Sequence, residues 1–290
     1  MNRILTGLFL SLMFVACQSP AQKDNSESDT PPAAATANTD SADENMTQTE
    51  QDIDEQPTEN ARTVEPEREP LPIKELLGRI NPGDHPDFVK IESKYTTKSG
   101  IYLRKEAYEA FKEMHAAAKA DGITLTIVSA TRTFGHQKGI WERKWTGVTK
   151  VGGKNLAQST PDPVERAKAI LTYSSMPGTS RHHWGTDIDL NNLNNSWFDS
   201  GTGKKVYSWL TKHASEYGFC QTYTEINENR PHGYLEEKWH WSYTPLSTQF
   251  LKDYESQIEH ADIDGFKGSE VAGEVNMIKH YVSGVNDECK

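Results

Sequence analysis

The sequence predicts an α+β domain of about 180 residues that begins near residue 71. Two observations predict this class. Several segments carry apolar residues at helical spacing, and a few short strand-like runs lie between them. The chain of 290 residues is also polar, with 35% hydrophobic residues, which excludes a membrane bundle and is typical of one or two soluble domains.

Three helices are predicted from apolar spacing and end signals. The first, residues 104–120, ends at Asp121-Gly122 as a helix C-terminus does. Its apolar stripe consists of Ala107, Phe111, Met114 and Ala118. The second starts at Asp162-Pro163, with Asp as N-cap and Pro in the first turn, and continues to Tyr173. The third covers residues 204–217 and is closed by Gly218.

Short strands are predicted at residues 123–128, 186–190 and 239–243. In the second of these, Ile188 and Leu190 would face the core, while Asp187 and Asp189 would point together to the other side. The domain is expected to end near residue 245, and residues 246–290 are expected to form a helical C-terminal extension. The apolar stripe of its last helix would be Val275, Ile278 and Val282.

Residues 1–17 have the layout of a secretory signal. Arg3 precedes an apolar run of thirteen residues, Ile4 to Ala16, which is too short to span a bilayer comfortably. The end of this run, Phe14-Val15-Ala16-Cys17, resembles the lipobox of bacterial lipoproteins, although Leu is usual where Phe14 stands. The resemblance implies that lipid on Cys17 anchors the protein to a membrane of the cell envelope, facing the periplasm. Secretion without lipid is the alternative.

Residues 18–70 are expected to be a disordered acidic linker. They contain fourteen Asp/Glu, three Lys/Arg and no aromatic residue, so they cannot bury enough apolar surface to offset the entropy of ordering. Their net charge of −11 equals that of the whole chain, which leaves the remainder close to neutral. Net charge therefore gives no support for a nucleic-acid-binding face.

Cys220 and Cys289 remain if Cys17 carries lipid. In an oxidising compartment, an even pair of cysteines indicates a disulfide, which would join the C-terminus to the segment before Cys220. The sequence does not give the Cα separation that a bridge requires, so two free thiols are the alternative.

Several common motifs are absent from the sequence. It contains no Gly-x-Ser-x-Gly, no Ser-x-x-Lys and no His-Glu-x-x-His. Gly147 and Gly152 have the spacing of a phosphate-binding loop, but Gly153 stands where that loop requires lysine. A nucleophile-elbow hydrolase, a serine penicillin-type enzyme, a zincin and a P-loop protein are thereby excluded.

Candidate metal ligands are concentrated between residues 178 and 190 and between 236 and 241. A catalytic zinc site takes three protein ligands, commonly imidazole nitrogen or carboxylate oxygen, and leaves a fourth position to water. His182, Asp189 and His240 can supply these three. A nearby Asp187 would repel Asp189 unless a cation or a proton intervenes, and a divalent metal would remove that conflict.

The motif Ser180-x-His182-x-x-Gly185-x-x-x-Asp189, followed by Glu237-x-Trp239-His240, resembles the LAS zinc peptidases, named for lysostaphin, D-Ala-D-Ala carboxypeptidases and sonic hedgehog. The upstream run Ser129-Ala130-Thr131-Arg132-Thr133 is similar to the arginine motif of their D-alanyl-D-alanine carboxypeptidase branch. The resemblance covers roughly residues 85–245 and implies a small antiparallel sheet flanked by helices. Asp187 is a departure, because the family most often has Ala there; it would tune the metal or bind substrate.

The resemblance also implies a role for each matching residue. His182, Asp189 and His240 would bind Zn²⁺, with His183 either behind the metal site or facing solvent. Glu237 would take a proton from the attacking water and return it to the leaving amine.

The remaining matching residues would contact the substrate. Arg132 would stabilise the developing oxyanion or bind a carboxylate. Gln137 and Ser180 would form hydrogen bonds with the peptide.

The implied function is a zinc-dependent carboxypeptidase that removes a terminal D-amino acid, D-Ala, from peptidoglycan stem peptides. The sequence does not choose between a D,D and an L,D bond, and an endopeptidase that cuts crosslinks would use the same chemistry. An alternative of another class is a non-catalytic, zinc-containing lipoprotein that binds the cell wall. Glu237 discriminates between the classes, because a binding protein does not need it.

Overall fold

A computed structural model of the chain describes residues 68–290. The signal segment, Cys17 and nearly all of the predicted linker lie outside the described residues. The helices are α1 (Ile73–Leu76), α2 (Lys105–Ala120), α3 (Phe134–Trp145), α4 (Leu156–Ser159), α5 (Pro163–Ile170), α6 (Gly201–His213) and α7 (Thr244–Gln257). The strands are β1 (Phe88–Lys90), β2 (Tyr102–Arg104), β3 (Ile127–Ser129), β4 (Asp187–Leu190), β5 (Phe219–Gln221) and β6 (His240–Tyr243). No helix within residues 68–290 is long and apolar enough to cross a membrane.

The main sheet has four strands in the order β3-β4-β6-β5, and every neighbouring pair is antiparallel. A separate two-stranded antiparallel sheet joins β1 and β2. Helix α2 packs on the main sheet through the predicted apolar stripe, whose four residues are fully buried. The same core contains Ile188 and Leu190 of β4, as predicted from their alternation. The predicted class, a small antiparallel sheet flanked by helices, is confirmed.

The predicted helices occur with small differences at their ends. Helix α5 begins at the predicted N-cap, since the Asp162 carboxylate accepts a hydrogen bond from the Glu165 N–H at 2.9 Å, but it stops at Ile170. Helix α6 begins three residues early and gives way to a 3-10 turn before Gly218. The strand predicted at residues 123–128 is wrong in position, because ladder pairing in that region is confined to residues 127–129.

Helix α3 was not predicted from the sequence. It starts at Thr133, whose side-chain hydroxyl accepts a hydrogen bond from the His136 N–H at 3.2 Å. Two glycines within the helix, Gly135 and Gly139, weaken its intrinsic helical propensity by roughly 1 kcal/mol each. Burial of Trp141 and Trp145 against the rest of the core stabilises the helix instead.

The C-terminal extension belongs to the same core as the preceding residues. Helix α7 supplies the helix expected at the start of the extension. The rest of the extension consists of single turns. The predicted last helix is one π-helical turn, Ile278–Val282. The predicted disulfide between Cys220 and Cys289 is present, with a Cα separation of 5.7 Å that lies in the normal range. The extension is therefore covalently attached to β5.

Candidate metal centre and active site

The pairing of β4 with β6 brings two predicted metal ligands together. Asp189 lies directly opposite His240 in the antiparallel ladder. Directly opposed residues of such a ladder project to the same face of the sheet, with Cβ atoms about 5 Å apart. Both side chains are buried. Residues separated by more than fifty positions in the chain thus become neighbours.

The third predicted ligand, His182, comes from the 3-10 turn Arg181–Trp184 that precedes β4. Gly185 ends this turn with a positive φ of 72°. A Cβ atom at this position would lie 2.3 Å from the Phe88 ring, so both the backbone conformation and the available space require glycine. This tight connection directs the buried His182 ring toward Asp189.

The three candidate ligand atoms have the spacing of a metal site. Asp189 Oδ1 lies 3.3 Å from His182 Nε2 and 3.6 Å from His240 Nδ1. All three ligand atoms lie within 4.8 Å of one another. Ligands of a tetrahedral zinc ion with bonds of about 2.05 Å would be about 3.4 Å apart. The donor set and its spacing therefore fit Zn²⁺.

Unsatisfied polar atoms support the same assignment. Within residues 68–290, Asp189 Oδ1 and both ring nitrogens of His182 are buried without a hydrogen-bond partner. Buried polar groups are nearly always paired, so such a concentration of unpaired atoms is typical of residues that bind a cation. The other carboxylate oxygen, Oδ2, accepts a hydrogen bond from Arg132 Nη2 at 2.9 Å. Asp189 is thus held by Arg132 through one oxygen and has the other available for the metal.

His240 is oriented by carboxylates on both sides of its ring. Nε2 lies 2.9 Å from Asp187 Oδ2, and Nδ1 lies 2.9 Å from Glu237 Oε2. Burial alone would lower the pKa of His240, but its hydrogen bonds to Asp187 and Glu237 raise the pKa to about 9. An environment that stabilises a proton on this ring so strongly also favours a metal cation beside it.

Asp187 does not belong to the ligand group and instead acts through His240. Its Oδ2 forms an ion pair with Arg181 Nε at 3.2 Å, and its Oδ1 accepts hydrogen bonds from Ser242 Oγ at 2.7 Å and Thr186 Oγ1 at 2.8 Å. A cation does intervene between the two carboxylates, as their repulsion requires, but for Asp187 it is the fully buried Arg181 and not the candidate metal. With its proton on Nε2, donated to Asp187, His240 would offer the Nδ1 lone pair to a metal in place of the hydrogen bond from Nδ1 to Glu237.

Replacing Asp187 by Asn is expected to weaken zinc binding by roughly 10- to 100-fold, because the amide no longer determines which ring nitrogen of His240 carries the proton. Competition with a chromogenic chelator measures this affinity. Asp199→Asn, at an exposed carboxylate paired with Lys238, is the matched control and is expected to bind zinc normally. An unchanged affinity in folded Asp187→Asn would contradict the role assigned to Asp187.

Glu237 lies beside the candidate metal site and lines a cavity of about 520 Å³ together with the three ligands and Arg132. Burial raises the pKa of the Glu237 carboxyl, and its hydrogen bond with His240 opposes that effect. Other residues that line the cavity and that sequence reasoning missed are Lys144, Tyr173, Ser174, Leu193, Tyr223 and Tyr234.

Gln137, Ser180 and His183 are buried behind these residues and do not line the cavity. Gln137 accepts a hydrogen bond from Arg132 at 3.4 Å and donates one to the Ser175 carbonyl at 2.7 Å. His183 is neutral, because burial lowers its pKa to about 3, and its Nδ1–H donates to the Arg132 carbonyl at 2.6 Å. His182 is therefore the ring of the pair that faces the metal site. Substrate binding by Gln137 and Ser180 stays a prediction.

A family model described as VanY, D-alanyl-D-alanine carboxypeptidase, matches residues 100–246, about half of the chain. The chain is 30% identical over 175 residues to a D-alanyl-D-alanine carboxypeptidase of Enterococcus faecalis, covering 59% of this chain and 58% of that protein. It is 29% identical over 165 residues to YodJ of Bacillus subtilis, covering 54% of this chain and 52% of that protein. It thus spans little more than half the length of these relatives. A structure of VanYB in complex with D-alanine-D-alanine is similar at 24% identity with a TM-score of 0.42, covering 58% of this chain and 83% of that one.

Proposed function

The chain belongs to the VanY family of D-alanyl-D-alanine carboxypeptidases, which are zinc metallopeptidases, and on this basis we propose that it removes a terminal D-alanine from peptidoglycan stem peptides. The observation that carries the proposal is the His-Asp-His ligand group with Glu237 beside it in one cavity. A site that bound zinc for structural reasons alone would use closed coordination and would need neither the cavity nor the glutamate.

The residues of the cavity can supply metal binding, proton transfer and charge stabilisation for amide hydrolysis. His182, Asp189 and His240 would hold Zn²⁺, whose Lewis acidity lowers the pKa of a water molecule in its coordination sphere. Glu237 accepts a proton from the attacking water as the new C–O bond forms, and gives it to the amine nitrogen as the C–N bond breaks. Arg132 keeps Asp189 in place and presents its remaining N–H groups to the oxygen on which negative charge develops.

The proposal is tested by incubating the zinc-loaded protein with defined muropeptides and identifying the products by mass spectrometry. Loss of one alanine from a pentapeptide indicates a D,D-carboxypeptidase, and loss of one alanine from a tetrapeptide indicates an L,D-carboxypeptidase. Chelation should abolish either reaction and added zinc should restore it. Release of crosslinked fragments instead would identify an endopeptidase, and no hydrolysis despite bound zinc would favour a cell-wall-binding protein.

We also propose that the protein is a lipoprotein of the bacterial envelope, attached to a membrane through Cys17. The Cys220–Cys289 disulfide supports a location outside the reducing cytosol. Metabolic labelling with an alkynyl fatty acid is expected to label the wild type and not Cys17→Ala, and the variant should move from the membrane to the soluble fraction. Label that persists on Cys17→Ala would contradict attachment at this residue.

A further inference from the structure

The turn that carries His182 is held at its C-terminal end by a buried arginine of β2, Arg104. Arg104 Nε–H donates a hydrogen bond to the Trp184 carbonyl at 2.7 Å, and the Arg104 backbone N–H donates one to the Gly185 carbonyl at 2.9 Å. Of the three candidate metal ligands, only His182 lies outside the strands of the main sheet. Strand register therefore does not fix its position, and the turn depends on contacts of this kind.

The Arg104 guanidinium is itself held in one orientation. Nη2 donates a hydrogen bond to Glu75 Oε2 at 2.7 Å, and Nη1 donates one to the exposed Asp87 at 3.2 Å. The rings of Phe88 and Phe250 pack against the guanidinium, with centroids 4.9 and 4.8 Å from its carbon atom. Glu75 is buried like Arg104, and separating a buried ion pair is strongly unfavourable because it leaves an uncompensated charge. Glu75 thus fixes the direction in which Arg104 Nε–H points.

The ring of His182 has no acceptor of its own to orient it. Both of its nitrogens are buried without a hydrogen-bond partner among residues 68–290. A metal-bound histidine usually donates its other ring N–H to an acceptor that fixes the ring, as Asp187 can do for His240. His182 lacks such an acceptor, so the direction of its ring depends on the backbone of the turn.

The segment that supplies Glu75 contacts the same turn in two further places. The Leu76 carbonyl accepts a hydrogen bond from Trp184 Nε1–H at 3.2 Å. Gly78 has a positive φ of 69°, and a Cβ atom there would lie 2.3 Å from the His183 ring. This segment precedes the range that the family model matches. Support of the turn therefore comes in part from residues outside that range.

We propose that Arg104, held by Glu75, is a positioning residue of the metal centre, because it fixes the turn from which His182 reaches the zinc ion. The inference rests on the zinc site of the proposed function and adds a support for that site from outside the main sheet. Bond lengths in zinc sites vary by only about 0.2 Å, so small movements of the turn would weaken binding. Arg104 does not line the cavity, and its effect on the reaction is therefore indirect.

Replacing Arg104 by Lys tests the inference, because lysine keeps the buried positive charge beside Glu75 but has no Nε–H for the Trp184 carbonyl. Zinc affinity, measured by competition with a chromogenic chelator, is expected to fall roughly 10-fold, as for other groups that support a metal ligand. The visible absorption bands of the cobalt-substituted protein, which report ligand geometry, should shift. Glu75→Gln should also weaken zinc binding in the wild type, but not further in Arg104→Lys, because Glu75 acts through Arg104.

Asp162→Ala is the matched control for a loss of stability, because it removes the N-cap of α5, a helix that carries no ligand. It is expected to lower the unfolding temperature by about 3 °C and to leave zinc affinity and the cobalt spectrum unchanged. An Arg104→Lys protein with the zinc affinity and cobalt spectrum of the wild type would overturn the inference, whatever its unfolding temperature. The proposed function fails separately, if zinc-loaded wild type releases no D-alanine from muropeptides.

Discussion

Replacing Glu237 by Gln is expected to lower kcat for D-alanine release by roughly 10³-fold, within the range of general acid–base catalysis. The amide has nearly the same shape as the carboxylate but cannot accept the proton of the attacking water at neutral pH. The zinc content should stay that of the wild type, because Glu237 is not one of the three ligands. Initial rates of D-alanine release and elemental analysis of the same preparations measure the two quantities.

Glu236→Gln is the matched control for this variant, because it removes the same charge from the adjacent residue, which does not line the cavity. Its kcat is expected to stay within about twofold of the wild type, as for most substitutions away from the reacting groups. A Glu237→Gln enzyme that kept more than a tenth of wild-type kcat would show that another group moves the proton.

Removing the disulfide is expected to lower the free energy of unfolding by about 4 kcal/mol, since the bridge closes a long loop of the unfolded chain. The two cysteines are 69 residues apart, and both are buried. A loss of this size is a large part of the roughly 5–15 kcal/mol that stabilises a typical domain. Urea denaturation of the wild type and of the Cys220→Ala/Cys289→Ala double variant measures the difference.

The same denaturation under reducing conditions provides the control. A reductant should destabilise the wild type by a similar amount and leave the double variant unchanged, because only the wild type has a bond to lose. If the wild type unfolds at the same urea concentration with and without reductant, the bridge makes no contribution to stability.

The C-terminal extension also supports the wall of the cavity that α3 forms. Trp141 Nε1–H donates a hydrogen bond to the Lys267 carbonyl at 2.8 Å, and the Trp141 ring packs edge-on against Phe266. Gly268 approaches Trp145 so closely that a Cβ atom there would lie 2.4 Å from the ring. The face of α3 next to its cavity-lining face is thus held by residues beyond the range that the family model matches.

Local patterns in the sequence were sufficient for the fold class and for much of the secondary structure. The apolar stripe of α2 and the N-cap at Asp162 are encoded by residues a few positions apart, so both can be recognised without knowledge of the tertiary structure. Helix α3 has no such signal, because its two glycines oppose helix formation and the burial of its tryptophans depends on residues more than a hundred positions away.

The sequence by itself also determined which side chains form the candidate metal site, since His182, Asp189 and His240 occur in a recognisable ordered motif. Only the tertiary structure decided that Asp187 is neutralised by Arg181 and that Lys144 faces the cavity. The physical reason is that a ligand's chemical type is a property of one residue, whereas charge pairing and access to a cavity depend on strand register and helix packing. Strand register and helix packing are determined by contacts between segments that are distant in the sequence, and no local pattern encodes these contacts.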